Sequence, residues 1–455
     1  MSAVVNSPTA DATAAHELAA GDPARTICFG GDGAVTLARF RREVHGVAAG
    51  LPDAPAVINL CEDRYRFLVA FCAAAMRGQT TLLPPSRAPA VIDEVLARHP
   101  GSYGLGDFAP TAASSRLYAL PERLPEHDDA PLAVADDALI AVGFTSGSTG
   151  QPRPNPKTWA AFRASTVQNL AALADLFDDP AHPAGTTPLI ATVPPQHMYG
   201  LEMSVLLPLL GRLAVHRGRP FFPDDVARAC ADAAAPPLLV TTPVHLHALV
   251  ESGIRLPALA GIVSATAPLT AGLARAAEVR FGCEVREVFG STETCVFARR
   301  RTATEDAWTP LPGVRLQPQP DGTAVQAPHL PEPVVLADLV EVRGDGRFVL
   351  HGRNGDLLEI AGKRASLGDL TRKLLAVPGV EDGVVLQLDE ADAAGVRRIA
   401  ALAVAPGLDA ATILRALRET VDPVFLPRPL ACVPALPRNE TGKLPRAALL
   451  ALLRS

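Results

Sequence analysis

Short continuous apolar runs alternate with stretches of helical spacing through most of this chain. Pro55-Ala-Val-Ile-Asn-Leu-Cys61, Ala138-Leu-Ile-Ala-Val142, Pro188-Leu-Ile-Ala-Thr-Val193, Pro237-Leu-Leu-Val-Thr-Thr-Pro243 and Ala260-Gly-Ile-Val-Ser264 have the length and continuity of strands buried on both faces. Helices are predicted over Thr36–Ala49, Arg64–Arg77, Ala90–Arg98, Thr158–Phe177 and about Glu202–Leu210, with Thr26–Val35 as a strand and hairpin and Thr80-Thr-Leu-Leu-Pro-Pro as a short strand stopped by prolines. Strand followed by helix, repeated, is the rhythm of a doubly wound α/β domain. Ala109–Asp137, punctuated by Pro and charge, is predicted as a surface connection. Val334–Val342 and Asp345–Arg353 read as two strands joined by an Arg-Gly-Asp-Gly turn. From Leu357 the pattern becomes compact α+β, with strands at Gly383–Leu388 and Arg398–Val404 and a helix from Ala410. The fold class expected is therefore α/β, with a disordered segment over 1–24, a large domain over 25–352, a connector at 353–356 and a small α+β domain over 357–455.

Composition narrows the class. With 455 residues, 48% of them hydrophobic and 20% charged, the chain can bury a large core and should divide into two or more domains. A net charge of −6 gives no electrostatic footprint for nucleic acid. The seven cysteines are scattered, with no Cys-x-x-Cys pair, which disfavours both zinc and a disulfide framework and favours a reducing compartment. The first 23 residues lack the basic region of a secretory signal, and the longest apolar run, Phe67–Met76, is too short to span a bilayer, so a cytoplasmic protein is expected. Only four of the 42 basic residues are Lys, at 157, 363, 373 and 443, so a retained Lys marks a candidate place for a compact ammonium.

The stretch with the most chemistry is Phe144-Thr-Ser-Gly-Ser-Thr-Gly-Gln-Pro-Arg-Pro-Asn-Pro-Lys-Thr158, which joins a predicted buried strand to a predicted helix. A loop of Ser, Thr and Gly presents N–H groups and hydroxyls to phosphate without side chains blocking the approach. It is not a Walker loop, because Gly-x-x-x-x-Gly-Lys-Ser/Thr is absent. Taken alone, such a run is often a flexible linker.

Thr145-Ser-Gly-Ser-Thr-Gly150 resembles the phosphate-loop signature of the adenylate-forming superfamily, which includes acyl- and aryl-CoA synthetases, nonribosomal-peptide adenylation domains and luciferases. Two further motifs follow in that family's order: Phe289-Gly-Ser-Thr-Glu293 and Leu436-Pro-Arg-Asn-Glu-Thr-Gly-Lys-Leu-Pro-Arg446. The resemblance implies a large adenylation domain with a small mobile lid, ATP and magnesium as cofactors, and no membrane span. It assigns Thr145, Ser146, Gly147, Ser148, Thr149 and Gly150 to the phosphates, Phe289 to the adenine, Gly290 and Ser291 to the nucleotide, with Gly290 also in the acyl pocket, and Thr292 to a phosphate. Glu293 becomes the magnesium-associated carboxylate, suited as a hard oxygen ligand, and Lys443 the catalytic lysine of adenylation. His197, Tyr199 and Gly200 fall beside the acyl pocket, Ala265 and Thr266 in a small-residue loop against adenine and acyl group, and Asp338 and Arg353 at the ribose and the closing strand.

Departures are expected to matter. Arg153 stands where the family usually has Lys, and Pro152, Pro154 and Pro156 keep the backbone out of a helix until Thr158, so the loop's cation is expected to be Arg153 or Lys157. Gly355 occupies the hinge where Asp or Lys is usual, which preserves rotation. Glu359 and Ser366 replace a common Lys and Glu.

The implied activity is ATP-dependent conversion of a carboxylic acid to an acyl-adenylate, followed by transfer to a phosphopantetheine thiol of coenzyme A or an acyl carrier protein. The stretch Val57–Phe67 resembles the compact ligases of aryl-polyene and xanthomonadin pigment clusters, which makes 3-hydroxybenzoate and a carrier protein the specific expectation. A medium-chain fatty acyl synthetase and a nucleotide-binding partner protein without turnover are the alternatives.

Overall fold

The computed structural model describes residues 14–31, 33–84, 87–107, 116–146, 152–177, 186–320, 322–353, 357–360, 363–391, 397–439 and 442–454. The chain divides into two compact units. The first comprises Met1–Ala265, Leu269–Ala303 and Pro328–Pro331; the second comprises Thr266–Pro268, Thr304–Ala327 and Glu332–Ser455. The second unit thus takes in 304–327 and 332–353 in addition to the segment expected as a lid. Gly355 and the rest of 354–356 lie outside the described residues.

Two sheets organise the first unit. One has six strands in the order Pro152–Thr158, Leu139–Ser146, Thr80–Leu83, Ala56–Asn59, Tyr103–Gly106, Leu117–Ala119, all parallel to their neighbours except the first pair. In the other, Val285–Ser291, Gly261–Ser264, Leu238–Thr241, Thr187–Ala191, Leu213–His216 and Thr26–Phe29 run parallel in that order, with Cys295–Arg300 antiparallel at one side and Val35–Thr36 at the other. The strands predicted from apolar runs are these central ones, for the physical reason that both of their faces are covered. Helix Arg64–Met76 touches strands of both sheets and is buried almost throughout, as its all-round apolar, small-residue sequence requires. Asp63 caps it by accepting from the Arg66 N–H at 2.9 Å. Ile190, Leu239, Ile262 and Val285 form one contiguous core with helices Pro223–Ala231, Pro243–Glu251 and Ala271–Phe281.

Three expectations are corrected. The segment expected to be disordered up to residue 24 holds a strand, Ala15–Glu17, paired with Ala133–Ala135, and Leu18 and Ala19 are fully buried; its low-complexity composition hid two apolar anchors. The predicted surface connection Ala109–Asp137 contributes Leu117–Ala119 to the six-stranded sheet and Ala133–Ala135 to that pairing. The single strand predicted over Val334–Val342 is two, Val334–Val335 pairing with Gly322–Gln326 and Asp338–Val342 with Phe348–Arg353.

Among the described residues the second unit holds two-stranded sheets and two three-stranded ones, the antiparallel Arg315–Gln319, Gly322–Gln326 and Val334–Val335, and the mixed Asp382–Ala391, Arg397–Val404 and Leu430–Cys432. Helices Leu367–Leu375 and Ala410–Leu417 bury Leu370, Leu374, Ile413 and Leu417 on one of its core clusters.

Helix Leu37–Gly50 gives a sharp test of packing against propensity. A Cβ on Gly46 would lie 2.0 Å from the Pro125 carbonyl oxygen, a backbone atom that cannot rotate aside. Alanine gains about 1 kcal/mol of helix propensity over glycine, but overpacking costs about 1–3 kcal/mol. Gly46→Ala should therefore lower the midpoint of thermal unfolding; an equal or higher midpoint would show that the Pro125 segment yields freely.

Candidate active site

The phosphate-loop stretch is a hairpin. Leu139–Ser146 pairs antiparallel with Pro152–Thr158, with Thr145 opposite Arg153 and Ala141 opposite Lys157, and with a register shift at Lys157/Thr158. Gly147, Ser148, Thr149 and Gly150 lie outside the described residues. The three prolines are tolerated because Pro152–Thr158 is an edge strand: at alternate positions their missing N–H groups all fall on the open side. Arg153, Asn155 and Lys157 share the opposite parity, and their burial rises along the strand from exposed to half-buried to 6% exposed. Arg153, exposed, is the member of the expected pair that faces water. The Lys157 ammonium instead turns inward and donates to the Glu293 carbonyl at 2.8 Å.

Glycine 143 in the loop strand is where three expected site segments meet. A Cβ there would stand 2.5 Å from Thr292 Cγ2 and 3.0 Å from Met198 Cε, so only glycine lets the strand lie against both. His197, half-buried, precedes the helical turn Met198–Leu201, and its N–H donates to the Pro194 carbonyl at 3.3 Å. Gly200 fits because a Cβ would lie 2.0 Å from that same carbonyl oxygen. The Tyr199 hydroxyl is buried at the Thr241 and Val263 carbonyls, at 3.2 and 3.0 Å. Arg64, fully buried, donates to the Ala191 and Val193 carbonyls at 3.0 and 2.8 Å and to the Ser204 hydroxyl, fastening the strand end that leads to His197. Burial lowers its guanidinium to about 9. Ser264, at the end of Gly261–Ser264 and next to Ala265, is fully buried with no protein partner for its hydroxyl, an open hydrogen-bonding capacity beside the expected pocket.

The Phe289–Glu293 motif closes a hairpin between Val285–Ser291 and Cys295–Arg300, with a bulge at Phe289/Gly290. Gly290 is required there, since a Cβ would lie 2.1 Å from the Cys295 carbonyl oxygen. Phe289 packs edge-on to Phe297 at 5.2 Å. The turn is tied by the Ser291 N–H to the Thr294 hydroxyl at 2.9 Å and the Thr294 N–H to the Ser291 hydroxyl at 3.2 Å, and Cys295 takes a left-handed φ of 54° to re-enter the strand. Gly290 and Ser291 are exposed, and Thr292 and Glu293 are half-buried.

Beneath this turn lies a polar cluster that the sequence reading missed. Glu202 opens a π-helical turn, Glu202–Leu206, and is buried among donors: the Ser165 hydroxyl at 2.8 Å, the Asn169 amide at 3.3 Å and the Val296 N–H at 3.1 and 3.2 Å. Burial pushes its carboxyl up; these donors and the Lys157 charge oppose the shift. Burial pushes the Cys295 thiol up to about 12, with the Lys157 charge opposing the shift. His329 Nε2 donates to the Thr294 carbonyl at 2.7 Å, and Nδ1 lies 2.6 Å from the Gln168 side chain. Burial, joined by the Lys157 charge, lowers its pKa against the opposing hydrogen bond to Thr294, and the Gln168 side-chain oxygen is the atom that faces Nδ1. The available signal was a carboxylate set inside the apolar run Leu201–Leu210 and a lone His between prolines.

The remaining expected residues belong to the second unit. Thr266 has a φ of 82°, unusual for a β-branched residue, at the turn after Ala265. Asp338, half-buried, stands opposite Arg353 in strand register. Lys443 is exposed on a turn closed by the Asn439 side-chain oxygen accepting from the Lys443 N–H at 2.9 Å. Arg438 anchors that turn, donating to the Gly442 carbonyl at 2.8 Å and to both Asp382 oxygens at 2.6 and 2.9 Å.

These groups suit magnesium and ATP. Among the described residues there is no group of three or more His, Cys, Asp or Glu that could hold a metal ion; the half-buried Glu293 carboxylate is a hard oxygen ligand of the kind magnesium takes. Two layered sheets, a phosphate-loop hairpin and a Thr-Glu turn packed on Gly143, with a small α+β unit following, define an adenylate-forming enzyme fold. The chain belongs to the AMP-binding enzyme family, which it matches over residues 85–327. Its activity at that level is ATP-dependent activation of a carboxylic acid by an AMP-forming ligase. It is similar to the 4-coumarate–CoA ligase of Rhodobacter capsulatus, 32% identical over 60% of this chain and 69% of that protein. The 4-coumarate–CoA ligase of Halorhodospira halophila is 30% identical over 68% and 77% of the two chains. ATP-bound MatB from Rhodopseudomonas palustris has the same fold, with a TM-score of 0.79, 20% identity and coverage of 95% and 97%. Among the described residues, no helix is long and apolar enough to cross a membrane.

Buried His329 sets a pH dependence. Its folded pKa lies below the ordinary 6.5, so the unfolded chain binds more protons there and stability falls as pH drops below about 6.5, by up to about 1.4 kcal/mol per pH unit. His329→Gln should flatten this slope in urea titrations taken over a pH series; an unchanged slope would place the titration elsewhere.

Proposed function

We propose that this enzyme activates an aryl carboxylic acid, with 3-hydroxybenzoate as the specific candidate, and passes the acyl group to the phosphopantetheine thiol of an acyl carrier protein or coenzyme A. The observation that carries the reading is the meeting of loop strand, His197 segment and Thr292–Glu293 turn on Gly143. An acid held near His197 and Tyr199 would have its carboxylate beside the groups assigned to the phosphates. Attack of the carboxylate oxygen on the α-phosphorus forms the acyl-adenylate as the bond to the departing pyrophosphate breaks, and gathers negative charge on the surrounding oxygens, which fixed N–H dipoles and cations stabilise. Thr145–Gly150 supply the dipoles, Arg153 the exposed cation of the hairpin, and Lys443 the ammonium we assign to adenylation. Magnesium, when bound, supplies positive charge to the phosphate oxygens. Glu293 orients that charge. Thiol transfer requires Lys443 to withdraw, and we assign that motion to the connector that contains Gly355.

Two observations favour an aryl, polar acid over a medium-chain alkyl one. The relatives at 28–32% identity are named 4-coumarate–CoA ligases. The open Ser264 hydroxyl beside Ala265 would be left unsatisfied by an alkyl chain. The 3-hydroxybenzoate choice rests on the resemblance of Val57–Phe67 to pigment-cluster ligases.

ATP–pyrophosphate exchange with a panel of acids tests the class: hydroxybenzoates should drive it and octanoate should not, with holo carrier protein and coenzyme A then offered in parallel as acceptors. Exchange with octanoate alone would overturn the aryl reading, and ATP binding without exchange for any acid would point to a partner protein without turnover. Lys443→Ala should reduce exchange at least about a hundredfold while leaving thioester formation from supplied acyl-adenylate near the wild-type rate; unchanged exchange would remove Lys443 from the adenylation step.

A further inference from the structure

Lys157 is a buried cation in a chain with only four lysines among its 42 basic residues. Its ammonium crosses from the hairpin to the carbonyl of Glu293, 2.8 Å away. The next carbonyl, that of Thr294, is taken by His329 at 2.7 Å. Two successive peptide groups of the turn are thus gripped by side chains from outside it, while the Glu293 side chain stays half-exposed. Burying an ammonium without compensation is costly, and here the compensation is local: the Glu293 carbonyl accepts from it, and its charge acts on the buried Glu202 carboxyl. A compact point charge with three donors fits such a knot; a planar guanidinium does not.

We propose that Lys157 is a positioning residue of the ATP site, holding the Thr292–Glu293 turn in the orientation that presents the Glu293 carboxylate to the divalent cation carried by ATP. The inference rests on the assignment of Glu293 made above. It differs from a role in general packing, which would weaken every step alike.

The test is calorimetric titration of ATP into the full-length chain, with and without magnesium. Lys157→Met should cut the magnesium-dependent gain in ATP affinity at least about tenfold, the usual size of an outer-shell effect on a metal site, and change magnesium-free affinity less than about twofold. In an E293Q background the same substitution should add less than about twofold, because the two residues act as one unit. If Lys157→Met does not fold, Lys157→Gln, which keeps an N–H donor, is measured instead and should retain part of the gain. An equal loss with and without magnesium, no loss at all, or full multiplicative effects in the E293Q background would overturn the proposal. Wild-type binding of magnesium–ATP without exchange for any acid sinks the ligase reading alone. Normal exchange with unaltered magnesium dependence in Lys157→Met sinks the Lys157 role alone, and no magnesium–ATP binding by the wild type sinks both.

Discussion

A buried ammonium on a backbone carbonyl, Lys157 to Glu293, is the constraint around which the first unit's site is arranged. Such a contact is tolerable only where water is excluded and other acceptors stand near, and the surrounding structure meets both conditions. Glu202 enters the knot because its helix widens into a π turn at that point, and the same carboxyl holds the Val296 N–H. Gly143 and Gly290 give up their side chains so that the strands can close over the knot, with would-be Cβ contacts of 2.5 and 2.1 Å. The exposed, chemically assigned atoms of the turn therefore sit on a support that is almost wholly inside the protein.

That arrangement explains what the sequence could and could not reveal. The central strands were legible because burial on both faces leaves continuous apolar runs, and Phe289–Glu293 was legible because its residue types match, in order, a motif of the family to which the chain belongs. The supporting groups left no such trace. Glu202, Ser165 and Asn169 come from separate helical positions, and His329 arrives from a short Pro-rich segment that belongs with the first unit although the chain on both sides of it belongs to the second. Nothing in local spacing encodes a contact between residues 35 positions apart, as between His329 and Thr294. The prolines after the loop were read correctly as barring a helix, but not as the mark of an edge strand, because that depends on which neighbour pairs with Leu139–Ser146.

The second unit bears on whether the departures from the family pattern signal decay. Ser366, where Glu is common, is buried, and its hydroxyl caps helix Leu367–Leu375 by accepting from the Asp369 N–H. Gly352, with a φ of 125°, makes room for that hydroxyl: a Cβ there would stand 2.0 Å from Ser366 Oγ. A small capping side chain and a left-handed glycine thus fit one another, which random loss would not preserve. Next to Lys443, Arg438 bridges Asp382 and the Gly442 carbonyl. A chain relieved of catalysis has no reason to hold a lysine-bearing turn by a charge-assisted clamp, so the intact support beneath Lys443 favours turnover over mere nucleotide binding.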